Sequence, residues 1–194
     1  MAIATPAPRV LGDYIASTKA ANIALVLGGS AFVGISAQVV IPLPFTPVPL
    51  TLQTFAVLLV GAALGTWRGV ASMVVYAAAG TAGVPWFSAG SSGWGGASYG
   101  YILGFILAAG IVGRLAERGA TRTPLRTAGL MVLGNAVIYA VGVSYLKFAI
   151  DASWAMALSL GMIPFLLGDA LKIALAAGLF PTTWKLVNRG GSST

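Results

Sequence analysis

Residues Ala20 to Trp67 read AANIALVLGGSAFVGISAQVVIPLPFTPVPLTLQTFAVLLVGAALGTW, a run of 48 positions without a charged side chain. One membrane-spanning helix takes about 20 residues, so this run is long enough for two spans and a connecting loop. The prolines between Pro42 and Pro49 place the loop in the middle of the run, because clustered prolines cannot continue a helix. The run therefore predicts a pair of helices that crosses a membrane.

Three further uncharged runs follow along the chain, Gly69–Gly113, Thr127–Leu146 and Ala152–Gly168. The first of them is again long enough for two spans, with a loop in the glycine- and serine-rich segment Pro85–Ser98. We predict an all-α membrane protein, a bundle of six transmembrane helices. The predicted spans are residues 20–41, 51–66, 69–84, 99–116, 127–149 and 163–184.

The composition supports a membrane protein over a soluble one. Hydrophobic residues make up 58% of the chain and charged residues only 8%, against about 25% charged residues in ordinary globular proteins. The 11 basic residues outnumber the 4 acidic ones, but they are too scattered to form a nucleic-acid-binding patch. The chain has no cysteine and no histidine, which excludes disulfides, thiol chemistry and the usual zinc sites.

The loops between the six predicted spans differ in charge. One side holds nine basic residues: Arg9, Lys19, Arg68, Arg114, Arg118, Arg122, Arg126, Lys185 and Arg189. The other side holds only Lys147, at a helix end. Cytoplasmic loops of membrane proteins are enriched in Lys and Arg, so both termini are predicted to be cytoplasmic. We divide the chain into a cytoplasmic N-terminal segment (1–19), a six-helix domain (20–186) and a flexible C-terminal tail (187–194).

Two charged residues, Asp169 and Lys172, fall inside the last predicted span. Three positions apart, they lie on one face of a helix. Each costs about 2.5–3.5 kcal/mol at a helix centre on insertion scales, so neither is expected to face lipid. They form either a structural ion pair that ties this helix to the bundle or the polar part of a ligand site. A carboxylate beside an ammonium suits a neutral urea or amide group, or an anionic ligand.

Other polar and aromatic residues are candidates for the same site, and most of them lie in the outer half of the predicted bundle. They are Asn135 and Tyr139 in the fifth span, Gln53 at the start of the second, Tyr99 and Tyr101 at the start of the fourth, and Trp94 in the glycine-rich loop. Each aromatic residue is also compatible with an interfacial belt, and Asn135 with a hydrogen bond between helices. Their shared location favours a ligand site beneath two outer loops.

No catalytic or energy-supplying motif is present in the sequence. It has no G-x-x-x-x-G-K-[S/T] motif for ATP hydrolysis, and no nucleophile, metal or paired-acid set. We predict that the chain is not an enzyme, holds no metal or cofactor, and depends on another subunit for energy. Ala20, Ala24 and Gly28 form a row of small residues on the first helix. Such a row fits either a partner helix or packing within the bundle.

Three stretches of the sequence resemble the BioY family, the biotin-specific S components of energy-coupling-factor importers. They are QVVIPLPFTPVPLTLQTFAVLLVG (Gln38–Gly61), the segment Gly80–Phe105 with GTAGVPWF and YGYILGF, and PFLLGDALK (Pro164–Lys172). The three occur in order, and the resemblance extends from about Ala20 to Leu186. The alanine row that this family often carries on its first helix has Gly28 in place of one alanine.

The resemblance implies a multi-pass plasma-membrane subunit that captures biotin. Its expected partners are a transmembrane coupling protein and two cytoplasmic ATPases, so that ATP is used only by the partners. The site implied is Asp169 and Lys172 for the polar groups of biotin, with the aromatic residues over its thiophane ring. An S component for another vitamin and a structural membrane protein remain the alternatives.

Overall fold

The structure of this protein is a computed structural model, and it describes residues 9–190. These residues form seven α-helices, three short 3₁₀ turns and a two-stranded hairpin. The helices are α1 (Lys19–Ser36), α2 (Gln53–Leu64), α3 (Thr66–Thr81), α4 (Tyr99–Ala116), α5 (Pro124–Ala149), α6 (Trp154–Gly161) and α7 (Leu166–Gly190). The strands are β1 (Val40–Ile41) and β2 (Leu50–Thr51), and the 3₁₀ turns are Leu11–Tyr14, Ser88–Gly90 and Ile163–Phe165.

Each of the six predicted spans overlaps one helix, namely α1 to α5 and α7, and α6 is an additional short helix outside all of them. Four helical stretches are long and apolar enough to cross a membrane: Lys19–Ser36, Tyr99–Ala116, Pro124–Ala149 and Trp154–Asn188. The helices α2 and α3 have 12 and 16 residues, fewer than the usual length of about 20. The mainly helical, membrane-type architecture is confirmed, while the count of six spans stays a prediction.

The ends of the chain differ in part from the predicted division. Residues 1–8 and 191–194, which belong to the predicted N-terminal segment and C-terminal tail, lie outside the described residues. The helix α7 continues to Gly190, so the part of the predicted tail that is described is helical.

The loop between α1 and α2 and the turn between α2 and α3 are formed in different ways. The prolines of the first loop lie within a hairpin, in which β1 and β2 pair antiparallel with Val40 opposite Thr51. The predicted spans 51–66 and 69–84 imply a turn at residues 67–68, but the turn between α2 and α3 lies at Gly65, because Gly65 adopts a φ of 82° that favours glycine. Glu117 stabilises this turn by accepting a hydrogen bond of 2.8 Å from the Thr66 N–H.

Small residues allow the central helix α4 to lie close to its neighbours α2, α3 and α5. A side-chain carbon added at Gly61 of α2 would lie 3.0 Å from the Ala109 carbonyl oxygen of α4. One added at Gly113 of α4 would lie 2.6 Å from the backbone nitrogen of Thr66. Close backbone approach is a main source of helix association in lipid, so these two glycines determine how tightly the bundle closes.

One end of the bundle gathers the start of the chain, the α2–α3 turn, the α4–α5 loop and the end of α7. Arg68 is only 8% exposed, its Nη1 lies 2.8 Å from Asp13 Oδ1, and its Nε donates to Asn22 Oδ1 over 2.6 Å. Trp184 of α7 donates to Thr121 Oγ1 over 3.0 Å. Most basic residues of the chain therefore lie at this end, which we call the basic end.

The topology can be tested with single cysteines, because the chain has none of its own. We predict that a cysteine at Ser92, exposed in the α3–α4 loop, reacts with an impermeant maleimide in intact cells. A cysteine at Thr123, exposed at the start of α5, should react only after permeabilisation. Thr121 is 1% exposed, so a cysteine there is a buried control that should react slowly in both cases. The reverse pattern would overturn the orientation.

The Asp13–Arg68 pair predicts a pH-dependent contribution to stability. Burial acts to raise the pKa of Asp13, but hydrogen bonds from Arg68 and from the Val10 and Arg9 N–H groups outweigh it and lower this pKa below its ordinary value. A depressed carboxyl pKa stabilises the fold above the unfolded-state pKa of about 3.9, and this contribution is lost as pH falls through the folded-state pKa.

We therefore predict that Asp13→Asn lowers the unfolding free energy by about 1–2 kcal/mol at pH 7 in detergent. The difference from the parent protein should shrink below pH 3.8, the ordinary carboxyl value. Asp151→Asn is the matched control, since Asp151 is exposed and its left-handed φ of 49° is one that Asn tolerates. Equal effects of the two substitutions, or a difference that persists in acid, would contradict the role of this pair.

Candidate functional site

A cavity lies between the β1–β2 hairpin, the first turn of α2, and helices α4, α5 and α7. The space between its lining atoms, including the part open to solvent, is about 540 Å³. We call it the ion-pair cavity. It is lined by Val48, Pro49, Leu50, Thr51, Gln53, Thr54, Ser88, Ser98, Tyr101, Ile102, Phe105, Tyr139, Phe165, Asp169 and Lys172.

The polar wall of this cavity is formed by Asp169 and Lys172, which the sequence placed on one face of the last helix. Both are buried, with exposed fractions of 4% and 8%, and Lys172 Nζ lies 3.2 Å from Asp169 Oδ1. Lys172 also donates to Thr54 Oγ1 over 2.9 Å, and the Tyr139 hydroxyl donates to Asp169 Oδ2. The two charges therefore compensate each other, and each is held by a neutral hydroxyl from another helix.

The pair keeps unused hydrogen-bonding capacity. An ammonium has three N–H donors, and Lys172 uses two of them. A carboxylate has about four lone-pair positions, and Asp169 accepts two hydrogen bonds from side chains. Because both residues line the cavity, a ligand there can receive a donor and an acceptor side by side.

Gln53, which also lines the cavity, is fixed by a chain of hydrogen bonds. Its Nε2 donates to the Tyr76 hydroxyl over 2.6 Å, and that hydroxyl donates to the Trp86 carbonyl over 3.2 Å. The Trp86 indole donates back to the Tyr76 carbonyl over 3.0 Å. This chain leaves the Gln53 carboxamide oxygen without a hydrogen bond from any described residue, so it is an acceptor available to a ligand.

Aromatic and aliphatic side chains form the remaining walls. Ile102, Phe105 and Phe165 are 5%, 3% and 6% exposed and line the cavity. Tyr101 also lines it, but its hydroxyl donates to the Gly161 carbonyl over 2.7 Å. Tyr101 therefore offers its ring to the cavity while its hydroxyl ties α4 to α6.

The loop between α3 and α4 contributes two serines to the cavity wall. Ser88 and Ser98 line it, and Ser88 Oγ is buried without a hydrogen-bond partner among the described residues. Gln38 holds this loop down, because its Nε2 donates to the carbonyls of Trp86 and Phe87, each over 3.2 Å. An acceptor group at the mouth of the cavity would satisfy the Ser88 hydroxyl.

Three predicted site residues lie elsewhere. Tyr99 directs its hydroxyl to Thr81 Oγ1, at 2.9 Å, and its ring packs 4.8 Å from that of Trp94, which is 76% exposed. Asn135 lines an adjoining groove between α5, α6 and α7, which shares Tyr139 and Asp169 with the cavity. The structure thus brings Asp169, Lys172, Tyr139, Gln53 and Tyr101 together at one cavity, while Asn135, Tyr99 and Trp94 are outside it.

Several lining residues were missed from the sequence. Thr54 follows Gln53 directly and lies within the stretch that resembles the family, so its position beside Gln53 was the available signal. Phe165 precedes Asp169 by one helical turn, which also indicated proximity. Phe105, Ser88 and Ser98 had no individual signal, because apolar and small polar residues are frequent throughout the segments that contain them.

Comparison with known proteins identifies the family of this chain. The model of the BioY family matches residues 10–189. The biotin transporter BioY of Thermotoga maritima is 36% identical over 140 residues, which cover 71% of this chain and 81% of the relative. The biotin transporter BioY2 of Lactococcus lactis subsp. cremoris is 30% identical over 162 residues, covering 82% of this chain and 87% of the relative.

A solved structure has the same fold. The crystal structure of the S-component for biotin from an ECF-type ABC transporter superposes with a TM-score of 0.78 at 23% identity, covering 86% of this chain and 92% of the other. At this identity the likeness speaks to the fold alone. Together with the family model, which spans nearly all described residues, it leads to one conclusion: the chain belongs to the BioY family.

Proposed function

We propose that this chain is the biotin-binding S component of an importer driven by an energy-coupling-factor module. The observation that carries the proposal is the buried Asp169–Lys172 pair on the wall of the ion-pair cavity, in a chain of the BioY family. Ionisable residues inside membrane domains mark ligand or ion sites by default because they are costly there.

The ureido group of biotin is complementary to the polar wall. It carries two N–H donors and one carbonyl acceptor on the same edge. Asp169 accepts from an N–H group, and the unused Lys172 N–H donates to the ureido carbonyl. Because the ion pair is neutral overall, it favours a neutral polar group of this kind over a second carboxylate. Thr54 and Tyr139 support the proposal, since they fix both charged groups in place before the ligand arrives.

The rest of biotin fits the other walls. The thiophane ring packs against Phe105 and Phe165, and its burial contributes about 25 cal/mol per Å² of apolar surface. The valerate tail then extends to the mouth of the cavity, where its carboxylate accepts from the hydroxyls of Ser88 and Ser98. These two serines lie on the loop side of the same cavity as Asp169.

Transport requires partners, because the chain carries no P-loop sequence. We propose that a transmembrane coupling protein and two cytoplasmic ATPases supply the energy. In this arrangement the chain crosses the plasma membrane six times with both termini in the cytoplasm. The concentration of basic residues at one end of the bundle supports that orientation.

The docking surface proposed for the coupling protein is the row Ala20, Ala24 and Gly28 on α1. All three residues are exposed, and an added side-chain carbon at Gly28 would meet nothing within 4 Å. Ala24 and Gly28 line an apolar groove beside α2, together with Phe32. These features support an approach by a partner helix over packing inside the bundle.

We predict that Asp169→Asn weakens biotin binding about ten- to hundredfold. The substitution keeps the side-chain shape but removes a charge-assisted hydrogen bond, which contributes about 1.5–3 kcal/mol. The measurement is isothermal titration calorimetry on purified, folded protein. Asp151→Asn removes the same charge from an exposed position and should leave the dissociation constant unchanged.

An unchanged dissociation constant in folded Asp169→Asn protein would give the ion pair a structural role only. A flat trace for biotin with the parent protein, together with heat from a different vitamin, would establish the alternative S component. Absence of binding to any vitamin would favour the structural alternative.

We also predict that Ala24→Leu abolishes copurification of the coupling subunits while biotin binding stays normal. The larger side chain prevents close helix approach, and in lipid that approach provides most of the association energy. Ala174→Leu is the control, since Ala174 is exposed on α7 and outside the α1 row. Copurification that survives in well-folded Ala24→Leu protein would show that the partner binds elsewhere.

A further inference from the structure

A second groove runs along the outside of the bundle between α1 and α3. The two helices are parallel, because the contact of Asn22 with Arg68 is followed farther along both helices by a hydrogen bond of 2.8 Å from Ser30 to the Ser72 carbonyl. The groove encloses about 900 Å³ including its open side. Its lining residues are Lys19, Asn22, Ile23, Val26, Leu27, Trp67, Ala71 and Val75.

The polarity of the α1–α3 groove changes along its length. Lys19, Asn22 and Trp67 lie at the basic end, where both helices begin, and the rest of the lining is apolar. From Lys19 to Leu27 the groove extends eight residues, about 12 Å along the helix axis. One leaflet of a bilayer has a hydrocarbon depth of about 15 Å. The groove therefore matches a lipid headgroup at its polar end and the adjoining part of an acyl chain along its apolar length.

Charge at the basic end favours an anionic headgroup. The described residues there include eight basic and two acidic side chains, and both acidic ones are engaged, Asp13 with Arg68 and Glu117 with Arg114. Lys19 is exposed and has no ion-pair partner among the described residues. The N-terminus of α1, which carries a partial positive charge, adds to the same field.

Trp67 completes the arrangement. It is 55% exposed, and the Arg68 guanidinium lies 5.2 Å from the centre of its ring. Tryptophan is enriched at the level of lipid headgroups, where its ring is half in hydrocarbon and half in water. At the mouth of the groove it can contact the glycerol region of a lipid while Lys19 contacts the phosphate.

We infer that the α1–α3 groove binds an anionic phospholipid, with one acyl chain along Ile23, Leu27, Ala71 and Val75 and its phosphate at Lys19. A helix of another protein could also fill the apolar part of the groove. It would not account for the ammonium group of Lys19 at one end, whereas a lipid phosphate would. The lipid-binding groove lies beside the exposed Ala20–Ala24–Gly28 row, so a bound lipid would border the surface proposed for the coupling protein.

The test uses Trp67 as a reporter. The purified chain is placed in mixed micelles with phosphatidylglycerol whose acyl chains are brominated near the glycerol, or with phosphatidylcholine carrying the same chains. Bromine quenches tryptophan fluorescence on contact, and subtraction of the Trp67→Phe signal isolates Trp67 from the other four tryptophans. The expected result is half-maximal quenching of Trp67 at about fivefold less anionic than zwitterionic lipid, as one lysine near a phosphate provides.

Two variants that each remove one positive charge distinguish a specific lipid site at Lys19 from general attraction by the basic end. Lys19→Gln should abolish the preference for the anionic lipid, whereas Lys185→Gln, exposed at the same end on α7, should keep it. Equal quenching by both lipids, or equal loss of preference in the two variants, would overturn the inference. The absence of Trp67 quenching by either lipid would also overturn it.

Discussion

The cost of placing Asp169 and Lys172 inside a membrane protein constrains the rest of the structure. An isolated charge would be expelled or neutralised there, so the fold must give each group a partner. It does so with the two charges themselves and with hydroxyls from two other helices, Thr54 on α2 and Tyr139 on α5. A cavity wall held by three helices is consequently preorganised, and a ligand can bind without first ordering the side chains that recognise it.

Contacts at both ends of the helical bundle support the arrangement around Asp169 and Lys172. Gly61 allows α2 to lie close to α4, and the first turn of α2 shares the ion-pair cavity with α7. Hydrogen bonds from Gln53 to Tyr76 and from Tyr76 to Trp86 connect the cavity to the loop between α3 and α4. The position of Gln53 therefore depends on the position of this loop. At the opposite end, Arg68 ties the start of the chain to α3. The site is thus held in place by contacts within the protein, which the surrounding lipid could not replace.

Features that the membrane imposes, such as long apolar helices, could be predicted from the sequence, whereas features that depend on local side-chain packing could not. Uncharged runs located the long helices, and the charges of Asp169 and Lys172 in the last predicted span indicated the cavity that these residues line, because a charge in lipid is costly. Thr54 had no comparable signal, since a threonine in an apolar helix costs little. The position of Tyr99 at one end of the bundle was predictable, but its contact with Thr81 in place of the cavity depends on the rotation of α4. The helix α6 lies within an uncharged run, where nothing in the composition marks its ends.

The most direct test of this account is the structure of the protein with biotin bound. We expect ligand density in the ion-pair cavity, with ureido atoms within about 3.2 Å of Asp169 or Lys172 and the ring between Phe105 and Phe165. Density in the groove between α5, α6 and α7, or at the surface of the bundle, with the ion-pair cavity empty and the Asp169–Lys172 contact unchanged, would contradict it.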